Sequence, residues 1–248
     1  MHITLTGNLG SGKSTICKIL DREYHYEIYS TGKVQRKLAQ DLGISVLEMN
    51  QLMCTDHKYD KMIDDTVAKI SRENTEKAIV FDSRLAWNFV DTSFKVFLSV
   101  SLDVAASRVY SDNRGDVEKY LSVDEAKQQL KVRAETEDVR YKDIYGLDYF
   151  NFNNYNLVLD STYCAPELLA KVILEEAKQA NKNTTRILMS TKRLGVTDAV
   201  YSADPELYCI QGNVVITKED DDYKVIEGME LVREAAKKGI PFVVVTLK

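Results

Sequence analysis

The chain has 248 residues, 44% of them hydrophobic, and a formal net charge of −5. That is enough apolar material for one large core or two smaller ones, and no stretch approaches the roughly 20 apolar residues of a membrane span. The acidic balance argues against broad nucleic-acid binding, which relies on a basic face to displace counterions. A soluble globular protein without membrane contact is expected. The start Met1-His2-Ile3-Thr4-Leu5-Thr6 carries no basic leader or small-residue cleavage site, so the cytoplasm is the expected location. The cysteines (Cys17, Cys54, Cys164, Cys209) and histidines (His2, His25, His57) are scattered, which suits neither a disulfide framework nor structural zinc.

Residues 2–6 predict a first strand. Directly after it, Gly7-Asn8-Leu9-Gly10-Ser11-Gly12-Lys13-Ser14 matches G-x-x-x-x-G-K-[ST] in full, and the helix-like run from Thr15 follows. This is a phosphate-binding loop in its required strand-loop-helix context. Gly7, Gly10 and Gly12 let backbone N–H groups wrap a polyphosphate, with Ser11 and Thr15 in the same cradle. The helix N-terminus adds positive potential, Lys13 reaches the β- and γ-phosphates, and Ser14 supplies an oxygen to Mg²⁺. A nucleoside triphosphate with Mg²⁺ is the expected ligand.

Further along, helical periodicity over 14–22, 32–42, 58–72, 103–111, 123–145 and 166–179 alternates with β-rich runs over 78–82, 95–100 and 157–160. The pattern predicts a parallel sheet with helices on both faces. Residues 180–185 are polar and read as a linker, dividing a domain of 1–180 from one of 185–248. The second part shows β-rich runs at 186–189, 207–210, 214–217 and 242–247, and one helix over 228–238. A small α+β domain is expected, close to the lower limit for independent folding. The acidic run 219–222 reads as a solvated turn, because adjacent carboxylates repel and lack the spacing of a calcium loop.

Four segments narrow the chemistry. Ser30-Thr31-Gly32 opens a helix with Arg36 one turn in. Phe81-Asp82-Ser83-Arg84-Leu85-Ala86-Trp87 puts an acid and an arginine at the carboxyl edge of a strand, where open α/β sheets bind ligands. Arg133 and Arg140, seven apart, share one face of a helix that also carries Glu137 and Asp138. Tyr145-Gly146-Leu147-Asp148 ends that helix.

In this order the four segments resemble the cytidylate kinase family of P-loop nucleoside monophosphate kinases, particularly its short archaeal-type branch, over residues 1–180. The span from Arg133 through Asp148 is the most specific match. The resemblance implies a P-loop kinase fold, a three-layer parallel sheet, and ATP-dependent phosphorylation of a nucleoside monophosphate, CMP or dCMP foremost. It implies that Lys13 and Ser14 serve ATP and Mg²⁺, that Thr31, Arg36 and Arg84 contact the acceptor, and that Arg133 and Arg140 are lid arginines active in transfer. Arg108 matches the arginine that opens the lid region and belongs to the ATP side. Read singly, Arg36 and Arg84 fit ion-pair roles as well. Asp82 either caps its strand or organises Mg²⁺, and Glu137 either partners the lid arginines or contacts the acceptor sugar. Ile63-Asp64-Asp65-Thr66 departs from the branch, which carries a basic pair after its isoleucine-aspartate.

The stretch from Asp222 to Val245 weakly resembles ParB-like and sulfiredoxin-like domains, whose own chemistry would be lost here because Met229-Glu230-Leu231 stands where their polar turn lies. A generic appendage for packing or for a protein partner explains the same residues. A nucleotide-sensing regulatory module is the alternative reading of the whole chain. Since every residue assigned to chemistry precedes the linker, a chain ending near residue 180 is expected to keep phosphoryl transfer.

Overall fold

The computed structural model describes residues 1–44, 46–112, 120–179, 184–202 and 205–248, so residues 180–183 of the expected linker lie outside the described set. The first strand, β1 (His2–Gly7), is buried along its whole length and leads through the glycine loop into α1 (Lys13–Tyr24). Then come β2 (Glu27–Ser30), α2 (Thr31–Leu42), α3 (Val46–Thr55), α4 (Lys58–Glu73), β3 (Ile79–Asp82), α5 (Ala86–Phe89) and β4 (Ser93–Ser99). The order continues with α6 (Leu102–Ser111), α7 (Val123–Tyr145), β5 (Leu157–Asp160) and α8 (Pro166–Gln179). The sequence signal missed β2, α3 and α5. β2 and α5 have only four residues each, too few to display a period.

β1 lies between β3 and β4, and all the pairings from β2 to β5 are parallel, in the order β2-β3-β1-β4-β5. The chain therefore crosses to opposite sides of β1, and the crevice beyond the carboxyl ends of such strands is the place where an open α/β sheet takes a ligand. Ile3, Leu5, Val96 and Leu159 pack against Ile16 and Leu20 of α1 and Leu169 and Ile173 of α8, while Phe97 and Val158 pack with Leu85, Trp87 and Tyr155 on the other side. Trp87 is thus a packing residue. The long α7 is set at its start by Ser122, whose Oγ accepts the N–H of Glu125 at 3.1 Å, and at its end by Gly146 at φ 67.

After α8 the chain adds β6 (Arg186–Ser190), β7 (Cys209–Ile210), β8 (Val215–Glu219), β9 (Asp222–Glu227), α9 (Met229–Lys237), β10 (Phe242–Val244) and β11 (Thr246–Leu247). β6 pairs in parallel with β5, β10 runs antiparallel on β6, and β7 forms the edge, making one eight-stranded sheet. The boundary expected between 180 and 185 thus falls between hydrogen-bonded neighbours. Strand alternation explains how one sheet serves two cores. Leu188 and Phe242 join the core under α1 and α8, whereas Met189 and Val243 join a second one with Val232 and Ala235 of α9. A three-stranded sheet, β11-β8-β9, completes this end. The acidic run is more than a solvated turn. Asp221 pairs with Lys131 of α7 at 2.6 Å, and Asp222 with Arg193 at 2.7 Å. Among the described residues, no helix is long and apolar enough to cross a membrane.

Candidate active site

A cleft of about 920 Å³ opens over the carboxyl ends of β1 and β3. Its floor is the glycine loop. Gly10 and Gly12 have φ 75 and 86, the left-handed region, and a Cβ on Gly10 would meet Ala105 of α6 at 2.9 Å. Only glycine turns so tightly against a neighbouring backbone. The residues of the first turn of α1, Lys13 to Ile16, line this concavity, and a helix N-terminus there favours an anion. Ser11 is buried, lines the cleft, and its Oγ has no hydrogen-bond partner among the described residues. An orphaned hydroxyl in a ring of backbone donors fits a phosphate oxygen.

Lys13 donates to the carbonyls of Gly7 and Asn8, each at 3.1 Å, and so closes its own loop. Burial, and then repulsion from Arg84, lower its ammonium to about 7 against the attraction of Asp82 and Glu137. Ser14 and Thr15 line the cleft beside it. Asp82 faces them from the end of β3, its Oδ2 accepting Ser30 Oγ at 3.0 Å, while Thr31 Oγ1 donates to the Asp82 carbonyl at 3.3 Å. The hydroxyl of Ser14 and the carboxylate of Asp82 are a hard-oxygen pair of the sort that suits Mg²⁺.

Arg84 extends from β3 across the cleft. Its Nη1 donates to Gly7 O at 2.9 Å and its Nε to Glu137 Oε2 at 2.8 Å, and Glu137 Oε1 accepts Arg133 Nε at 3.0 Å. Burial opposes the charge of Glu137, but Arg84 and Arg133 outweigh it and hold the carboxyl at about 2. Arg36 lines the cleft on α2. Arg108 of α6 stands at the opposite end, where its Nη2 donates to Ser161 O at 2.8 Å and Nη1 to Gly10 O at 3.4 Å.

The expected pairing of Arg133 with Arg140 is not what the fold makes. Arg140 is 5% exposed and turns toward α3 and α4, where Asp60 Oδ2 lies 3.6 Å from its Nε and the Asn50 carbonyl 3.4 Å from its Nη1. Apart from this ion pair, Asp60 Oδ2 and Arg140 Nε are buried without a hydrogen-bond partner among the described residues, and both residues line the cleft. Next to them, Asp64 accepts Tyr145 OH at 2.7 Å. Burial pushes its carboxyl up to about 7, against that hydrogen bond. Sequence reading noticed Asp64 only as a departure and missed Asp60. A signal was present, because the buried stripe of α4 runs Asp60, Ile63, Asp64, Val67, Ala68 and Ser71, and two acids on a core-facing stripe need a reason.

All the other residues expected at the site, Gly10, Gly12 and Glu137 included, line this one cleft, and Gly7 lies just beneath it.

A family model described as "Cytidylate kinase-like family" matches residues 2–163. A cytidylate kinase of Methanobrevibacter smithii is 32% identical over 178 residues, spanning 72% of this chain and 99% of that protein. One from Sulfolobus acidocaldarius is 30% identical over 183 residues, spanning 73% of this chain and 96% of its own length. Among solved structures, an uncharacterized protein from Eubacterium ventriosum is similar in fold, with a TM-score of 0.52 at 14% identity over 72% of this chain and 98% of that one.

Proposed function

The chain belongs to the cytidylate kinase-like family and is a nucleoside monophosphate kinase, and we propose that CMP or dCMP is the acceptor it phosphorylates best. The observation that carries the acceptor reading is the buried ion pair of Asp60 and Arg140, Oδ2 and Nε 3.6 Å apart, which lines the arm of the cleft away from Arg108. Cytosine offers an amine donor next to ring acceptors. A carboxylate beside a guanidinium complements that edge, whereas uracil would set a carbonyl against the carboxylate.

In this reading ATP lies with its phosphates in the glycine loop and its base toward Arg108. Lys13 contacts the transferring phosphate, and Arg36 and Arg84 hold the acceptor phosphate in line with it. Ser14 and Asp82 would hold Mg²⁺, which neutralises charge on the β- and γ-phosphates when bound. Phosphoryl transfer needs positioning and charge neutralisation more than covalent help. Arg133 shares Glu137 with Arg84, so it stands ready to move toward the phosphoryl group as the cleft closes. Closing also keeps water from competing with the acceptor.

The test is a coupled ADP-release assay over the common ribo- and deoxyribonucleoside monophosphates. CMP or dCMP should give the highest kcat/KM. If AMP, GMP and UMP all outpace the cytidine nucleotides, the acceptor assignment fails and the family's chemistry remains.

A further inference from the structure

The end of the cleft beside Arg108 is built partly by residues outside the 2–163 span that matches the family model. Asp160, at the end of β5, is fully buried. Its Oδ1 accepts the N–H of Thr162 at 3.1 Å and also the Thr162 hydroxyl, two donors from its own loop. Two more come from the C-terminal segment. Ser190 N–H reaches Oδ2 at 3.1 Å, and Arg193 Nη1 reaches Oδ1 at 3.0 Å.

Arg193 itself is fixed on three sides. The same Nη1 donates to Ser99 Oγ at 2.8 Å at the end of β4, Nε donates to Asp222 Oδ1 at 2.7 Å, and the guanidinium lies 5.0 Å from the ring centre of Tyr223. The Arg193 side chain is 3% exposed, so no ligand touches it. It does touch the group that decides the next loop. With Thr162 tied back to Asp160, the carbonyls of Ser161 and Thr162 both point at Arg108 and accept its Nη2 at 2.8 and 3.2 Å. Arg108 then reaches Gly10 O in the phosphate loop.

We propose that Arg193 is a positioning residue for the donor nucleotide: through Asp160 and the Ser161–Thr162 carbonyls, the C-terminal segment sets the guanidinium of Arg108 against the phosphate loop. The physical reason is that a fully buried carboxylate keeps one geometry only while its cationic partner holds it. Without that partner, Asp160 must turn or take up a proton, the 161–162 loop is left to its bonds with Ser99 and Ser101, and the two carbonyls hold Arg108 less firmly. Among the described residues, the acceptor arm, with Asp60 and Arg140 on α4 and α7, shares no hydrogen bond with this chain of contacts. The effect is therefore one-sided. The proposal rests on reading the cleft as the ATP site.

The experiment uses the full chain with Arg193→Met, Arg193→Lys and Asp222→Asn. ADP affinity is measured by titration calorimetry, KM for ATP and for CMP by coupled assay, and folding by circular dichroism. Arg193→Met should weaken ADP binding and raise KM for ATP about tenfold, with KM for CMP within about twofold. Arg193→Lys, which keeps a charge on Asp160, should recover part of the loss, and Asp222→Asn should move the same constants in the same direction by less. A folded Arg193→Met that binds ADP like wild type, or shifts both KM values alike, overturns the proposal. If that variant does not fold, unchanged ADP affinity in both Arg193→Lys and Asp222→Asn overturns it. A wild-type chain that binds no ADP instead removes the ATP reading, and the proposal with it.

Discussion

Glu137 on α7 and Arg84 at the end of β3 pair at 2.8 Å, 53 residues apart in the chain, with both side chains largely buried. The contact closes the cleft between the sheet and the long helix, and Arg133 shares the same carboxylate. Removing Glu137 would leave two guanidiniums facing each other. Glu137→Ala is expected to cost about 3–5 kcal/mol of stability, the usual penalty for breaking a buried pair from one side. The pH dependence has a definite sign. The folded carboxyl sits at about 2, below its ordinary 4.5, so its contribution is complete above pH 4.5 and is lost as pH falls through about 2. Urea unfolding across that window should show wild type losing stability more steeply than Glu137→Gln, and identical slopes would refute the pairing.

Lys13→Ala should lower kcat by about 10²–10³, the effect of removing one preorganised charge from the reacting centre. Because the free-site ammonium lies near 7, kcat/KM for ATP should fall as pH rises through 7. The same limb should be absent from kcat, since bound phosphates restore the proton. A pH profile of both constants decides this, and a kcat/KM that stays flat to pH 9 rules it out.

Asp64 gives the opposite sign of linkage. Its folded carboxyl is raised from 3.8 to about 7, so the folded state binds the extra proton and stability declines as pH rises across that interval. Asp64→Asn imitates the protonated form and can keep the Tyr145 contact. Its melting temperature relative to wild type should increase from pH 4 to pH 7 and level off above. A difference that does not change with pH would mean that Asp64 is charged throughout.

Asp60→Asn should weaken the choice between CMP and UMP, because an amide can turn either a donor or an acceptor toward the base. A charged hydrogen bond is worth about 1.5–3 kcal/mol, so the ratio of kcat/KM values should narrow by about tenfold or more. The measurement is the coupled assay with the two acceptors, and an unaltered ratio places base recognition elsewhere.

A chain cut after Gln179 carries every residue assigned to chemistry from sequence, yet the fold predicts that it suffers. The cut strips the hydrogen bonds from the β5 edge, uncovers the core that Leu188 and Phe242 help to close, and removes two of the donors on Asp160. An exposed apolar edge of that kind invites aggregation. Lower solubility, a lower melting temperature and weaker ADP binding are expected than for the full chain. A truncated chain with undiminished melting temperature and kinase rate would restore the accessory reading.

The phosphate loop was legible because its chemistry is local: consecutive residues Gly7 to Ser14 supply the turn, the donors and the charge, and a strand before and a helix after suffice to place them. The same holds for α7 and α8, whose bounds follow from helical period, a proline at 166 and a glycine at 146. Sequence spacing also put Arg133 and Arg140 on one helix, but a helix face does not say what stands opposite it. Arg133 meets Glu137 one turn along its own helix, a pairing that spacing alone allows, whereas the partner of Arg140, Asp60, comes from α4, and only the packing of α3 and α4 against α7 sends that arginine there. The C-terminal segment shows the same limit more sharply. Several of its strands were readable, but β9 was not, and the run 242–247 was read as one strand where the structure makes β10 and β11 in separate sheets; their place was decided by the free edge of β5 and by the buried Asp160, a carboxylate that takes donors from residues 30 and 33 positions further along the chain. Short-range pattern is written in the order of residues, and long-range pairing is settled by which buried charges and open strand edges the rest of the fold leaves to be satisfied.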